Sequence, residues 1–79
     1  MNLTQDVTKI VSEIIGMKPD DINPDALFIQ DMGMDSLRAI EILAVIENQY
    51  GITIDPERLK EMTTLNNVVK ITQEYIDQK

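Results

Sequence analysis

The 79-residue sequence contains no histidine, no cysteine and no tryptophan. Without cysteine, neither a disulfide framework nor a thiolate metal site can stabilise the fold. The missing histidine also excludes a Ser-His-Asp catalytic triad, and it excludes zinc, because carboxylates alone make a poor zinc site. Packed apolar side chains, which make up 43% of the chain, must therefore hold the fold together.

Long apolar runs and clustered glycines are also missing. The longest apolar run, Ile42 to Ile46, is far shorter than the roughly 20 residues that a membrane-spanning helix needs. The N-terminus has neither a basic opening nor a continuous apolar stretch, so it does not resemble a secretory signal. The three glycines are isolated, which excludes a glycine-rich phosphate loop. We expect a single cytoplasmic domain over residues 1–79, with no membrane association.

Basic residues are scarce: the chain has seven of them and fourteen acidic residues, which gives a net charge of −7. This charge would repel a nucleic-acid backbone, so we expect no nucleic-acid partner. Residues 20–47 hold seven of the acids and only one base, Arg38. An acidic segment is often only a solvated surface. The concentration of acidic residues around one serine, Ser36, favours a docking surface for basic partner proteins.

The spacing of apolar residues predicts four helices and no strand. The first helix begins after Asn2, a capping residue, and Gly16 ends it. Its apolar stripe comprises Leu3, Val7, Ile10, Val11, Ile14 and Ile15. A loop of about eighteen residues follows, which is long for a compact domain. The loop residues expected to pack on the core are Ile22, Leu27 and Phe28.

The second helix is predicted from Ser36 to Tyr50. Its predicted core residues are Ala39, Ile40, Ile42, Leu43, Ile46 and Tyr50. Asp55 as a cap and Pro56 as the first helical residue predict a short third helix that carries Leu59 and Met62 inward. A threonine cap begins the fourth helix, whose stripe comprises Leu65, Val68, Val69, Thr72, Tyr75 and Ile76. The predicted fold is all-α: an irregular four-helix bundle, three longer helices plus one short one, with a long first loop.

Ser36 could be a nucleophile, a helix cap or a site of attachment. No histidine is present to activate it, and Lys18 and Lys60, the nearest lysines, have no reason to lie beside it. Calcium is excluded at "DDINPDALFIQD", which lacks the glycine and the closing glutamate of an EF-hand loop. Either Asp35 or Ser36 can cap the second helix, and spacing alone favours that role. A phosphate on Ser36 would instead lie at the positive end of the helix dipole.

The segment "GMDSLRAIEILAVIENQYGITID" resembles the sequence around the modified serine of the acyl carrier proteins. The resemblance includes "F-x-x-D-x-G-x-D-S-L" from Phe28 to Leu37, the proline-interrupted loop and the closing segment that begins at Thr63. It extends over almost the whole chain. The resemblance implies the fold predicted above and the role of a monomeric carrier rather than an enzyme.

If the resemblance holds, Ser36 carries 4'-phosphopantetheine, transferred from coenzyme A by a magnesium-dependent phosphopantetheinyl transferase. The thiol of this group then holds acyl intermediates as thioesters, and the protein needs no metal of its own. The residues that match partner contacts in the family are Asp35, Leu37, Glu41 and Glu47. The counterpart of Asp35 lies near the metal in the transferase complex, and that of Leu37 makes an apolar contact. The acids match family residues that meet basic patches on partner enzymes. The side chains that could shelter an acyl chain are Phe28, Ile40, Leu43, Ile46, Leu59, Met62 and Val68, although ordinary core packing accounts for them equally well.

Arg38 departs from the family pattern, because carriers of fatty acid synthesis usually have an acidic residue there. A basic side chain would repel a partner lysine or arginine. We therefore expect Arg38 to affect partner choice, and we expect a carrier of specialised lipid or polyketide synthesis rather than of general fatty acid synthesis. Two alternatives remain open at this point: a peptidyl or D-alanyl carrier that uses the same serine, and an unmodified helical adaptor.

Overall fold

A computed structural model describes residues 2–78, and it is all-helical, with no strand among these residues. The three longer helices are α1 (Leu3–Ile15), α2 (Ser36–Tyr50) and α3 (Leu65–Asp77). Two 3₁₀ elements accompany them, a turn at Pro19–Asp21 and a helix at Pro56–Glu61. The predicted fold is confirmed, with the short third helix wound as a 3₁₀ helix. None of the described helices is long and apolar enough to cross a membrane.

The helix boundaries follow from their capping residues. The side chain of Asn2 accepts a hydrogen bond from the Gln5 N–H at 3.1 Å, and Thr64 does the same for Asn67 at 3.1 Å. These caps satisfy amide groups that have no partner within the helix. Gly51 ends α2 in the left-handed region with φ of 64°, which is costly for a residue with a Cβ.

One core joins all the elements, and α1 packs against both α2 and α3. The buried apolar residues are Val7, Ile10, Val11, Ile22, Phe28, Met34, Ile42, Ile46, Ile52, Ile54, Met62, Leu65, Val68 and Ile71. This confirms the predicted stripes of α1 and α3, to which Ile71 is added. The core position predicted for Ile40 is wrong, because its side chain is 49% exposed. Ile40 precedes Ile42 by two residues, which turns it by about 200° to almost the opposite side of the helix.

The loop between α1 and α2 is fixed to the start of α3. The N–H of Phe28 donates to the Thr63 carbonyl at 2.9 Å, and the side-chain amide of Asn66 donates to Asp25 at 2.6 Å. Ile22 and Phe28 are buried as predicted. The prediction for Leu27 is wrong, since its side chain is exposed at the surface of the loop. These contacts hold the chain in place just before α2 begins.

Candidate functional site

Ser36 is the first residue of α2 and is exposed. Asp35, the residue before it, is the helix cap, and its carboxylate accepts a hydrogen bond from the Arg38 N–H at 2.9 Å. The cap predicted for either residue therefore belongs to Asp35. The Ser36 hydroxyl is left at the surface, beside the amide groups that form the positive end of the helix.

The segment before Ser36 is held by hydrogen bonds of its own. The N–H of Met34 donates to the Phe28 carbonyl at 2.9 Å, and both side chains are buried. Between them, the Asp31 carboxylate accepts a hydrogen bond from the Leu27 N–H at 2.9 Å. Gly33 has φ of 68°, a conformation that favours glycine. The chain thus reverses tightly and enters α2 at a fixed position, which places Ser36 on a rigid element.

A cleft of about 270 Å³ opens beside Ser36. It lies between the loop, the first turns of α2 and the 3₁₀ helix, and it is lined by Leu27, Phe28, Ile29, Gln30, Ser36, Ala39, Leu59, Lys60, Met62 and Thr63. Of the side chains predicted to shelter an acyl group, Phe28, Leu59 and Met62 line this cleft. Ile46 and Val68 are buried in the core, Leu43 packs against the core, and Ile40 is exposed. Ile29 and Gln30 were not predicted, because a loop has no apolar period to reveal them.

Four exposed apolar side chains lie on the cleft or on the first turns of α2, near the serine. They are Leu27, Ile29, Leu37 and Ile40, and the most exposed are Leu37 at 69% and Ile29 at 61%. Single exposed apolar residues are normal on protein surfaces. Here Leu27 and Ile29 line the same cleft as Ser36, while Leu37 and Ile40 lie one and four residues after it on α2. These four side chains form an apolar rim near Ser36, on the cleft and on the first turns of α2, and such a rim suits contact with another molecule.

The acidic residues of the predicted docking surface are accompanied by one base, Arg38. Arg38 forms an ion pair with Glu41 at 3.2 Å, and both side chains are about half exposed. The helix carries only one further acid, Glu47. Most of the acidic residues near the serine lie in the loop before α2 instead. This ion pair weakens the negative electrostatic potential at the first turns of α2, where the sequence predicts contacts with basic partners.

Glu47, which was predicted to bind partners, has a contact within the protein. Its carboxylate accepts a hydrogen bond from the Ile54 N–H at 2.8 Å, and the side chain is half-buried. Ile54 itself is buried. Glu47 thus fixes the segment that follows α2, far along the helix from Ser36. Its predicted contact with partners stays a prediction.

Comparisons with known proteins agree with this geometry. The family model described as "Phosphopantetheine attachment site" matches residues 5–71. An acyl carrier protein of Chlamydia trachomatis serovar L2 is 31% identical over 75 residues, which cover 95% of this chain and 97% of that protein.

Solved structures show the same fold. A chain of the structure described as the ishigamide ketosynthase/chain length factor aligns with a TM-score of 0.75 and 28% identity, covering 94% of this chain and 93% of that one. The oxytetracycline acyl carrier protein aligns with a TM-score of 0.78 and 22% identity, covering 99% of this chain and 84% of that one. Since the family model spans most of the chain, the protein belongs to the acyl carrier protein family, whose members bear a covalently attached 4'-phosphopantetheine group.

Proposed function

We propose that Ser36 is the attachment site of 4'-phosphopantetheine and that the chain carries acyl groups without catalysing a reaction. The observation that supports this most strongly is that Asp35, and not Ser36, caps α2. Asp35 makes the helix cap, so the exposed Ser36 hydroxyl is not needed for it. No histidine is present to make that hydroxyl a catalytic nucleophile.

The residues around Ser36 fit the proposed group. Its phosphate would lie at the first turn of α2, where unpaired amide groups and the helix dipole favour an anion. The apolar cleft beside Ser36 has walls suited to an acyl chain. When bound, the group supplies the thiol that holds acyl intermediates as thioesters. The protein's own residues position that group and shield part of it from water.

We further propose that the first half of α2 and the loop before it form the docking surface for partner enzymes. These include the transferase and enzymes that load and process acyl groups. Asp35 and Glu41 would meet basic groups, and Leu37 would make the central apolar contact. Arg38 pairs with Glu41 and offsets part of its charge, so a partner needs a neutral or acidic group opposite Arg38. This supports a carrier of polyketide or specialised lipid synthesis.

Intact mass measurement tests the attachment site. The purified chain is incubated with coenzyme A, magnesium and a phosphopantetheinyl transferase, and we expect the mass of one 4'-phosphopantetheine group to be added. The Ser36→Ala variant should gain nothing. Thr53→Ala, which removes an exposed hydroxyl outside the site, should be modified like the natural chain. Addition that persists in Ser36→Ala would refute the proposed site.

The same experiment addresses the adaptor alternative, because an adaptor would gain no group at all. The peptidyl or D-alanyl alternative requires a second measurement. A chain purified from its own cells would carry its cargo as a thioester, and mass analysis would show either an acyl group or an amino acid. We expect an acyl group, since the apolar lining of the cleft offers no carboxylate to pair with an amino group. The monomeric state and the cytoplasmic location stay predictions.

A further inference from the structure

The 3₁₀ helix Pro56–Glu61 forms one wall of the cleft but has little packing of its own. None of its six residues is buried. Leu59 and Lys60 line the cleft. Met62, the first residue after the helix, also lines it, and its side chain is buried. Elements with few buried apolar contacts open at low free energy. Leu59 packs against the core from a partly buried position, and contacts outside the core help to fix this wall.

Arg58 provides polar contacts that attach the 3₁₀ helix to α3. Its guanidinium group donates to Glu74 at 2.9 Å and to Glu61 at 2.6 Å. It also lies over the ring of Tyr75, 5.9 Å from the ring centre. The Tyr75 hydroxyl in turn accepts a hydrogen bond from the Asp55 N–H at 3.1 Å. We call this group of five residues the Arg58 latch.

The geometry of a 3₁₀ helix connects the latch to the cleft. With three residues per turn, residues i and i+3 lie on the same side of the helix. Arg58 and Glu61 therefore share one side of the helix, from which Arg58 reaches Glu74 on α3. Leu59 and Lys60 lie on the other sides and line the cleft, as does Met62, which follows the helix directly. Any rotation of the helix that separates Arg58 from Glu74 must also move Leu59 and Met62.

We propose that Arg58 is a positioning residue that sets the width of the cleft and thereby the length of acyl chain that the cleft accepts. This proposal rests on the proposed carrier function. Hydrogen bonds to Glu74, and then to Glu61, raise the pKa of Arg58 above its ordinary value. Arginine is charged throughout the physiological range, so these ion pairs do not depend on pH there.

The test compares Arg58→Gln, Arg58→Lys and the control Lys9→Gln, which removes one positive charge from an exposed position on α1. Two measurements use the unloaded chain, namely amide hydrogen exchange over residues 55–62 and the methyl resonances of Leu59 and Met62. We expect faster exchange, by about tenfold, and shifted methyl resonances in Arg58→Gln, and neither change in Lys9→Gln. Arg58→Lys keeps the charge but lacks the planar group that contacts two carboxylates, so it should lie between the two.

A third measurement uses the chain loaded with acyl groups of increasing length. The rate at which hydroxylamine cleaves each thioester reports how well the cleft protects it. In the natural chain and in Lys9→Gln, we expect protection to increase with chain length up to a limit. In Arg58→Gln that limit should change, a result that a uniform loss of stability would not produce.

The outcomes separate this proposal from the carrier function. Unchanged exchange and methyl resonances in Arg58→Gln would overturn the latch whether or not Ser36 can be loaded. Changed exchange with the same length limit would overturn its effect on acyl length. Failure to load any variant would refute the proposed carrier function, and the two measurements on the unloaded chain would still decide whether the latch positions the cleft wall.

Discussion

The two halves of α2 differ in what their apolar residues contact. In the second half, Ile46 is fully buried, and Glu47 accepts a hydrogen bond from the segment that follows the helix. In the first half, Leu37 and Ile40 are exposed beside Ser36. The first half thus combines exposed apolar residues with the buried Ile42, whose side chain belongs to the core. Substitutions at the exposed positions Leu37 and Ile40 should cost the core little, and they can test the proposed partner contacts.

The largest expected effect on stability is in the second half of α2. We expect Ile46→Ala to lower the free energy of unfolding by about 2–5 kcal/mol, because it leaves a cavity where a fully buried side chain was. For a domain whose total stability is of the order of 5–15 kcal/mol, this loss is large.

Leu37→Ala in the first half is the matched comparison for Ile46→Ala. Its side chain is mostly exposed, so the cost should stay within about 0.5 kcal/mol. Urea denaturation followed by circular dichroism measures both variants. Equal losses in the two variants would show that the halves of α2 do not divide their roles in this way.

A smaller effect is expected at Glu47. Glu47→Gln keeps an oxygen that can accept from the Ile54 N–H but removes its charge, and charged hydrogen bonds are stronger than neutral ones. We expect a loss of about 1 kcal/mol in the free energy of unfolding. Glu41→Gln is the control, since it breaks only a half-exposed ion pair and should cost no more than about 0.5 kcal/mol.

Denaturation in urea at low and at high salt sharpens the comparison between the two glutamates. The small loss in Glu41→Gln should vanish at high salt, because salt screens exposed charges. The loss in Glu47→Gln should persist. If the stability losses of the two variants depended on salt in the same way, the hydrogen bond of Glu47 would contribute no more to stability than the exposed ion pair of Glu41.

Local patterns in the sequence were enough to predict the helices. Apolar spacing identified the buried stripes of α1 and α3, and the caps Asn2, Asp55 and Thr64 marked helix starts, because these signals depend on residues within one or two turns. The position of Ile40 was predicted wrongly, because it lies about 200° around the helix from the buried Ile42, on a side that no other element covers.

Contacts between distant residues were not predictable in the same way. Arg58 and Glu74 are sixteen residues apart, and Asp25 and Asn66 are forty-one residues apart. No local period relates such pairs, so only the fold brings them together. Ser36 was identified from its neighbours in the sequence, whereas the cleft beside it depends on how the loop and the 3₁₀ helix meet.

The smallest expected effect on stability, and the one most informative about partners, is at Arg38. Arg38→Asp breaks the ion pair with Glu41 and places two acids near each other, but an acid in the first turn of a helix is favourable. The net change in the free energy of unfolding should be within about 0.5 kcal/mol. Any change in turnover can therefore be attributed to docking rather than to unfolding.

We expect Arg38→Asp to raise kcat/KM with enzymes of general fatty acid synthesis, whose docking patches are basic, and to lower it with the carrier's own partners. Lys9→Asp, with the same change in charge on α1, separates the local effect from that of net charge. Because a charge at the docking surface acts mainly on the rate of encounter, both changes should shrink as salt increases. Unaltered kcat/KM with both classes of enzyme would mean that Arg38 does not govern partner choice, and the docking surface would then depend on its apolar rim.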